Sequence, residues 1–576
     1  MGRILSVVIA LGVAVHAVPR DIIDLGYAVH QATIKTIDGD FYTFQNIRFA
    51  EPPVGLRRFK PPVAITTINR TINDGSVGFV CTQGWPTWQL KKIAKKKKMW
   101  TWRLNQAVWE DESQSEDCLF LDVYVPGVVL EDRLTTDRRA APVIIRIPDG
   151  SFVNGQKTFS GPTSFGGSLH AAGLIDRSAE NGSRGIIFVH ISYRLGMYGW
   201  LNPGDDPDIS PNVGLQDQRM AMEWVKRHIH KFGGDPDNIT VMGSSAGAAS
   251  IMHHITAKGG RAKVPFHRAI IQSPKFETVV DAKGVWADVL SLASYVARRY
   301  VRNGAELAAL NATVLCEVNH RLIRDAKRGS FMFGPTIDGD YVPDLPGVLL
   351  LKGQFDPGPS LLIGHTSSEW LDAWDPDGSD GSVVDKVLRG VPDEKLAVVW
   401  SDLYPPPSDT TPYTTLADRA KLVMAEFSVI CNTRYLSNAF GNRTWDYRFQ
   451  VPPAFHGLDV FYALYNGGGS VDGVKMDEWL AGDMQRYLTN FAQFGSPNAD
   501  GLLKWREHGG NKSMATFGIE GLGAEEYEAN NKRCAYWQTG KYRTMAKWYK
   551  SRKMPNLEFI AWTERILNFL VGLLPK

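Results

Sequence analysis

The chain has 576 residues, 44% of them hydrophobic, 11% aromatic and 22% charged, which excludes a disordered, collagen-like or small disulfide-framework protein. Its 64 Lys+Arg against 61 Asp+Glu leave a net charge of +3, too balanced for a molecule built to coat nucleic acid or an acidic partner. A chain above ~300 residues buries roughly three quarters of its unfolded surface, so a large core is expected.

Residues 1–17 read as a secretory leader, with Arg3 as the positive start, an apolar run from Ile4 to Val15, and a small-residue cleavage site at Val15-His16-Ala17. A secreted, extracellular protein is therefore expected. No later stretch reaches the ~18 apolar residues of a membrane span. Asn-x-Ser/Thr sequons begin at Asn69, Asn181, Asn238, Asn311, Asn442 and Asn511. Asn238 abuts a buried-strand pattern, which leaves the other five as glycosylation candidates. Five cysteines in an oxidising compartment allow two bridges and one leftover thiol, and spacing alone does not assign the pairs.

Thr33–Ile37 and Phe41–Phe44 flank Asp38-Gly39, a hairpin signal. Apolar runs at Val143–Ile147, Gly185–Ile191, Ile239–Met242, Ala269–Ile271 and Leu361–Ile363 suit strands buried on both faces. Ala221, Val225, Ile229 and Phe232 share a helical face between the second and third runs. Strands alternating with helices predict an α/β fold, a mostly parallel sheet covered on both sides, in one large domain.

Two segments stand apart from this pattern. Trp85, Trp88, Trp100, Trp102 and Trp109 surround Lys91, Lys92 and Lys95–Lys98. Such interleaving can bind single-stranded nucleic acid, but in a nearly neutral, secreted chain a solvated loop with a few buried rings is expected, and no nucleic-acid partner. After the basic stretch 541–553, Phe559, Trp562, Ile566, Leu567, Leu570, Leu573 and Leu574 follow helical spacing. This tail is expected to pack on the body, with self-association or membrane-surface contact as the alternatives.

Gly243-Ser244-Ser245-Ala246-Gly247 is a G-x-S-x-G pattern between the strand-like 238–242 and a helical run to Ile255. A strand–elbow–helix turn lifts the Ser245 hydroxyl to the end of the sheet beside a helix N-terminus. A serine hydroxyl needs a base oriented by an acid, in the chain order Ser, acid, His for this kind of elbow. His456 and His508 are the candidate bases. His456 follows the strand-like Trp445–Phe449, whereas His508 lies among charged and glycine residues and reads as open surface, so position favours His456. Glu369 stands just past the apolar 361–364 run, with Asp338 and Asp372 as competing acids.

These residues sit in longer motifs. "NIRFAEPPVGLRRFKPP" (46–62), "SEDCLFLDVYVP" (115–126), "DQRMAMEWVKRHIHKFGGDPDNITVMGSSAG" (217–247), "FGPTIDG" (333–339), "GHTSSEW" (364–370) and "FHGLDV" (455–460) occur in that order. Together they resemble the type-B carboxylesterase, lipase and cholinesterase family over about Tyr27–Trp537. The resemblance implies an α/β-hydrolase fold over 18–537, between the leader at 1–17 and the tail at 538–576. It also implies Ser245 as nucleophile, Glu369 as acid and His456 as base. By the same match Cys81 pairs with Cys118 and Cys431 with Cys534, leaving Cys316 unpaired. The Trp/Lys segment then falls within a disulfide-closed loop that in relatives covers the mouth of the active-site gorge, and a flap is expected there.

The chain departs from the family at three places. Pro148-Asp149-Gly150-Ser151 stands where relatives carry His-Gly-Gly-Gly. The implied oxyanion donors are the backbone N–H groups of Gly150, Ser151 and Ala246, which asks Ser151 to take backbone angles that relatives give to glycine. Ser244 replaces a common Glu before the nucleophile, which disfavours a choline ester. Gln272-Ser273-Pro274 replaces Gln-Ser-Gly, read as a local turn change. The expected activity is hydrolysis of small-molecule or lipid carboxylic esters through an acyl-enzyme, with no metal or organic cofactor. A binding or adhesion protein on the same fold, and an acyltransferase or lactone-acting enzyme, are the alternatives.

Overall fold

The computed structural model describes residues 21–542 apart from 36–40, 97, 99, 134–138, 158–170, 276–281, 328–329, 370–392, 442, 468–469, 472, 510–511 and 527–530. The leader, the tail beyond 542, Asp372, Asn442 and Asn511 lie outside the described residues. Eleven strands form the main sheet: β1 (Ile34–Lys35), β2 (Phe41–Arg48), β3 (Phe120–Pro126), β4 (Ala141–Ile147), β5 (Ile187–Ile191), β6 (Gly234–Ser244), β7 (Arg268–Gln272), β8 (Ser360–Thr366), β9 (Thr444–Phe449), β10 (Ser513–Gly518) and β11 (Gly521–Glu526). Their spatial order is β11-β10-β9-β8-β7-β6-β4-β5-β3-β2-β1. The seven strands from β10 to β5 run parallel, and antiparallel strands close both edges. β1 and β2 pair as the expected hairpin, Ile34 opposite Thr43.

Continuous apolar runs form these strands because alternate side chains enter two separate cores. Val143, Ile145 and Ile147 face one side with Val189, Val241, Ile271 and Ile363. There they meet α3 (Val213–His228) and α4 (Ala246–Ile255), whose Ala221, Val225, Ile251 and Ile255 are fully buried. Ile144, Phe188, Met242, Ile270 and Leu362 face the other side, against α6 (Leu458–Ala463) and α7 (Glu478–Phe494). In α7, Leu480, Met484, Tyr487, Leu488 and Phe491 form the inward stripe, and the Asp477 side chain caps the first turn by accepting from Leu480 N–H.

The Trp/Lys segment is not the solvated loop expected. It folds as α1 (Thr87–Lys96) and α2 (Thr101–Trp109), because Leu90, Ile93 and Ala94 lie three and four residues apart and close on Leu104. The pair is seated on the body beside α5 (Ala312–Arg324). Thr87 Oγ1 donates to the Arg324 carbonyl at 2.9 Å, the Trp88 and Phe331 rings meet edge-on at 5.3 Å, and Trp109 lies 5.1 Å from His320. Cys81–Cys118 closes the base of this excursion, Cys431–Cys534 staples the last described helix, and Cys316 is a free, half-buried thiol.

His508 is also not open surface. It is 3% exposed, its N–H donates to the Thr444 carbonyl, and its ring lies 3.4 Å from Asp446. Asn238 Nδ2 donates to the Gln493 carbonyl at 3.3 Å, so this sequon is engaged inside the fold, whereas Asn69 and Asn311 are exposed.

A buried ion pair locks β5 to α3. Arg194, just past β5, donates from its backbone N–H and its guanidinium to Asp217 at 3.1, 2.8 and 2.7 Å, and neither side chain is more than 3% exposed. Removing one partner leaves an uncompensated buried charge. Asp217→Ala is therefore expected to destabilise the fold by about 3–5 kcal/mol, read as a lowered denaturation midpoint at unchanged slope. A loss below ~1 kcal/mol would contradict this role.

Candidate active site

The carboxyl ends of the parallel strands come into register where β6, β7, β8 and β9 meet. Ser244, Gln272, Gly364 and Tyr447 lie side by side in one row, so the segments that follow them converge at one edge of the sheet. Open parallel sheets bind ligands at this edge.

Ser245 forms the turn between β6 and α4 with φ 50° and ψ −119°, a conformation that costs a non-glycine residue of order 1–3 kcal/mol. Its backbone is held on both sides: its N–H donates to the Gln272 carbonyl at 3.0 Å, and its carbonyl accepts from Ala249 and Lys275. The flanking glycines are needed for close approach. A Cβ on Gly243 would lie 2.6 Å from the Gly247 carbonyl carbon, and one on Gly247 would lie 2.3 Å from the Ile147 oxygen. The turn leaves Ser245 half-buried, at the N-terminus of a fully buried helix.

Of the two candidate histidines, His456 is the one that meets a candidate acid. Its Nδ1 donates to Glu369 Oε2 at 2.5 Å. Glu369 is fully buried, and its other oxygen accepts from Ser273 Oγ at 2.7 Å and from the Thr366 N–H at 2.6 Å. Burial pushes this carboxyl up, but His456, Ser273 and His365 together outweigh it and hold it at about 2. Asp338 is instead occupied by Asn212 and by the Asp340 and Val342 amides. The second ring nitrogen of His456, Nε2, is buried and makes no hydrogen bond among the described residues. Ser245 and His456 are thus brought to the same sheet edge without a hydrogen bond between them, as is common before substrate tightens such a site.

The 150–152 loop carries three consecutive left-handed residues, with φ 109° at Gly150, 53° at Ser151 and 65° at Phe152. Ser151 therefore does adopt a left-handed φ, a conformation that favours glycine. The Gly150 carbonyl accepts from Val153 and Asn154, and the Phe152 carbonyl accepts from Gly196. Among the described residues, the N–H groups of Gly150, Ser151 and Ala246 make no intramolecular hydrogen bond. The Asp149 carboxylate accepts from Ser244 Oγ at 3.2 Å and lies 3.9 Å from the buried Arg146 guanidinium.

Three further residues hold this arrangement. Gln272 accepts from the Ser245 N–H through its carbonyl and donates from Nε2 to Asp459, three positions after His456. Ser273 reaches Glu369. Tyr447 donates to Asp459 at 2.6 Å. Their place directly after buried strand runs was the available signal for Gln272 and Ser273. The Thr366 contact is made by the backbone and carries no side-chain signature.

A sequence model described as Carboxylesterase family matches residues 29–537. The chain belongs to the carboxylesterase family. It is 36% identical over 543 residues to carboxylesterase patB of Aspergillus clavatus, covering 90% of this chain and 95% of that protein. Among solved structures, EstA of Aspergillus niger superposes with a TM-score of 0.71 at 20% identity, over 90% of this chain and 98% of that one. A thermophilic pNB esterase superposes with a TM-score of 0.67 at 25% identity, over 89% and 99%. This carboxylesterase has the α/β-hydrolase fold and is a carboxylic ester hydrolase.

Two outcomes follow from the contacts around Glu369. Ser273→Ala removes one donor from a buried carboxylate, a bond worth about 1.5–3 kcal/mol. It is expected to lower kcat roughly 10- to 100-fold with little change in KM; an unchanged kcat would remove Ser273 from the support of Glu369. Burial raises the Asp459 carboxyl from 3.8 to about 6, partly offset by Tyr447. The folded state then binds more protons than the unfolded one between those values, so this residue makes stability fall as pH rises through that window. Asp459→Asn is expected to gain about 1–3 kcal/mol over the native chain above pH 6 and to lose that advantage near pH 4, measured by denaturant titration at both pH values. A pH-independent difference would contradict it.

Proposed function

We propose that this enzyme hydrolyses small-molecule or lipid carboxylic esters by a Ser245–His456–Glu369 relay and an acyl-enzyme, and that it acts outside the cell. The reading rests on one observation above the others: a buried, ionised Glu369 holds His456 by Nδ1 and leaves Nε2 with no partner among the described residues. An imidazole so oriented accepts a proton at Nε2 and is stabilised as the imidazolium by the carboxylate behind it.

In the proposed sequence, substrate draws Ser245 Oγ and His456 Nε2 together, and Oγ attacks the carbonyl carbon while its proton passes to Nε2. The carbonyl oxygen takes the electron pair and accepts from the Gly150, Ser151 and Ala246 N–H groups, whose loss costs about 3–4 kcal/mol per donor in comparable sites. Collapse breaks the ester C–O bond, and His456 returns the proton to the departing alcohol. Water, deprotonated by His456, then attacks the acyl-Ser245 carbonyl and releases the acid. The N-terminal leader pattern supports secretion, and Asn69, Asn181, Asn311, Asn442 and Asn511 are the proposed glycan sites.

The test is a fluorophosphonate probe on the full chain, followed by peptide mapping. The adduct is expected on Ser245, absent in Ser245→Ala and strongly reduced in His456→Ala, with kcat falling roughly 10⁶-fold in Ser245→Ala. Ester turnover that survives Ser245→Ala, or an adduct on another residue, would overturn the relay. A folded protein that neither labels nor turns over esters would favour a binding role on the same fold.

A further inference from the structure

We propose that the outer face of the α1–α2 pair docks this enzyme onto an anionic lipid surface. From Trp85 to Trp109 the chain carries six lysines and one arginine and no acidic residue, in a molecule whose net charge is only +3. The fold sorts these residues. Leu90, Ile93, Ala94 and Leu104 turn inward to form the seam, while Lys91, Lys95, Lys98 and Arg103 are exposed. None of the four has a carboxylate partner among the described residues. At the start of α2, Trp100 and Trp102 are 71% and 59% exposed, with the Arg103 guanidinium 5.4 Å from the Trp102 ring.

Exposed indole rings are poorly placed in water and well placed at headgroup depth, where the ring is buried and the N–H finds a partner. Lysines and arginines alongside supply the electrostatic half of the attraction, about 1 kcal/mol per cation near an anionic leaflet, with their alkyl stems lying along the interface. The mount is firm: Thr87, Trp88 and Trp109 fasten the inner face to the body, and Cys81–Cys118 closes the base. Single-stranded nucleic acid is the less favoured partner, because Trp85, Trp88 and Trp109 are half-buried and the two exposed rings are too few for a series of stacked bases.

The experiment is co-sedimentation of the full chain with vesicles of phosphatidylcholine alone and of phosphatidylcholine mixed with phosphatidylglycerol, at low and high salt. Binding is expected to the anionic vesicles and to weaken with salt. Lys91→Gln/Lys95→Gln/Lys98→Gln should reduce partitioning roughly 100-fold, and Trp100→Ser/Trp102→Ser should also reduce it, both with an unchanged denaturation midpoint. Equal binding to neutral vesicles, undiminished binding of both variants, or no vesicle binding would overturn the proposal. Tighter binding to a single-stranded oligonucleotide than to the anionic vesicles would overturn it in favour of a polyanion site.

Discussion

Ser245 sits in a backbone conformation that costs energy wherever it occurs, and the surrounding residues are arranged so that it has no alternative. On one side, β6 is held in the middle of a parallel sheet with both faces buried. On the other, α4 is buried along its whole length, so neither element can rotate to relax the turn. The Gln272 carbonyl fixes the Ser245 N–H, and the 2.3 Å that would separate a Gly247 Cβ from the Ile147 oxygen shows how close the helix start comes to β4. That approach brings the 150–152 loop beside the elbow. The strain at one serine, the glycines around it and the position of the neighbouring loop are therefore parts of one constraint.

Two buried carboxylates near His456 are pushed in opposite directions. Glu369 receives the His456 N–H, the Ser273 hydroxyl and the Thr366 amide, and stays ionised at about 2 despite full burial. Asp459, equally buried, receives only Tyr447 and a longer bond from Gln272, and burial with the nearby Glu369 charge lifts it to about 6. The number of donors each carboxylate receives thus separates the two groups: one is held as an anion over the whole working range, and the other gives up its proton only as the pH rises past about 6.

Much of this was legible in the chain before the structure. Runs such as Leu361–Ile363 have no polar face, and only a strand covered on both sides tolerates that, so the central sheet could be read directly. The elbow was legible because glycines flank a serine between a strand pattern and a helix pattern. Two readings failed for related reasons. In 85–109 the lysines dominate local composition and mask a seam of only four small or aliphatic residues, Leu90, Ile93, Ala94 and Leu104. Around His508 the polar neighbours in sequence are not its neighbours in space, since its backbone docks onto Thr444 and its ring onto Asp446. Ser273 looked like part of a turn because its bond to Glu369 spans 96 positions, and no local pattern reports a contact of that range.

Two places where the chain departs from the family's pattern touch each other. Ser244, where relatives often carry Glu, donates its hydroxyl to Asp149, which stands in the segment where relatives carry glycines. A carboxylate at 149 repels an anion brought to the neighbouring backbone N–H groups, and its own contacts draw its charge elsewhere. It is engaged by Ser244 and faces Arg146, a cation buried beneath the loop, while the Gly150 and Ser151 amides beyond it make no hydrogen bond among the described residues. A glutamate at 244 together with an aspartate at 149 would set two like charges against one another at hydrogen-bond distance, which a partly buried site disfavours. The two substitutions are thus physically coupled: a carboxylate on the loop requires a neutral donor on the elbow.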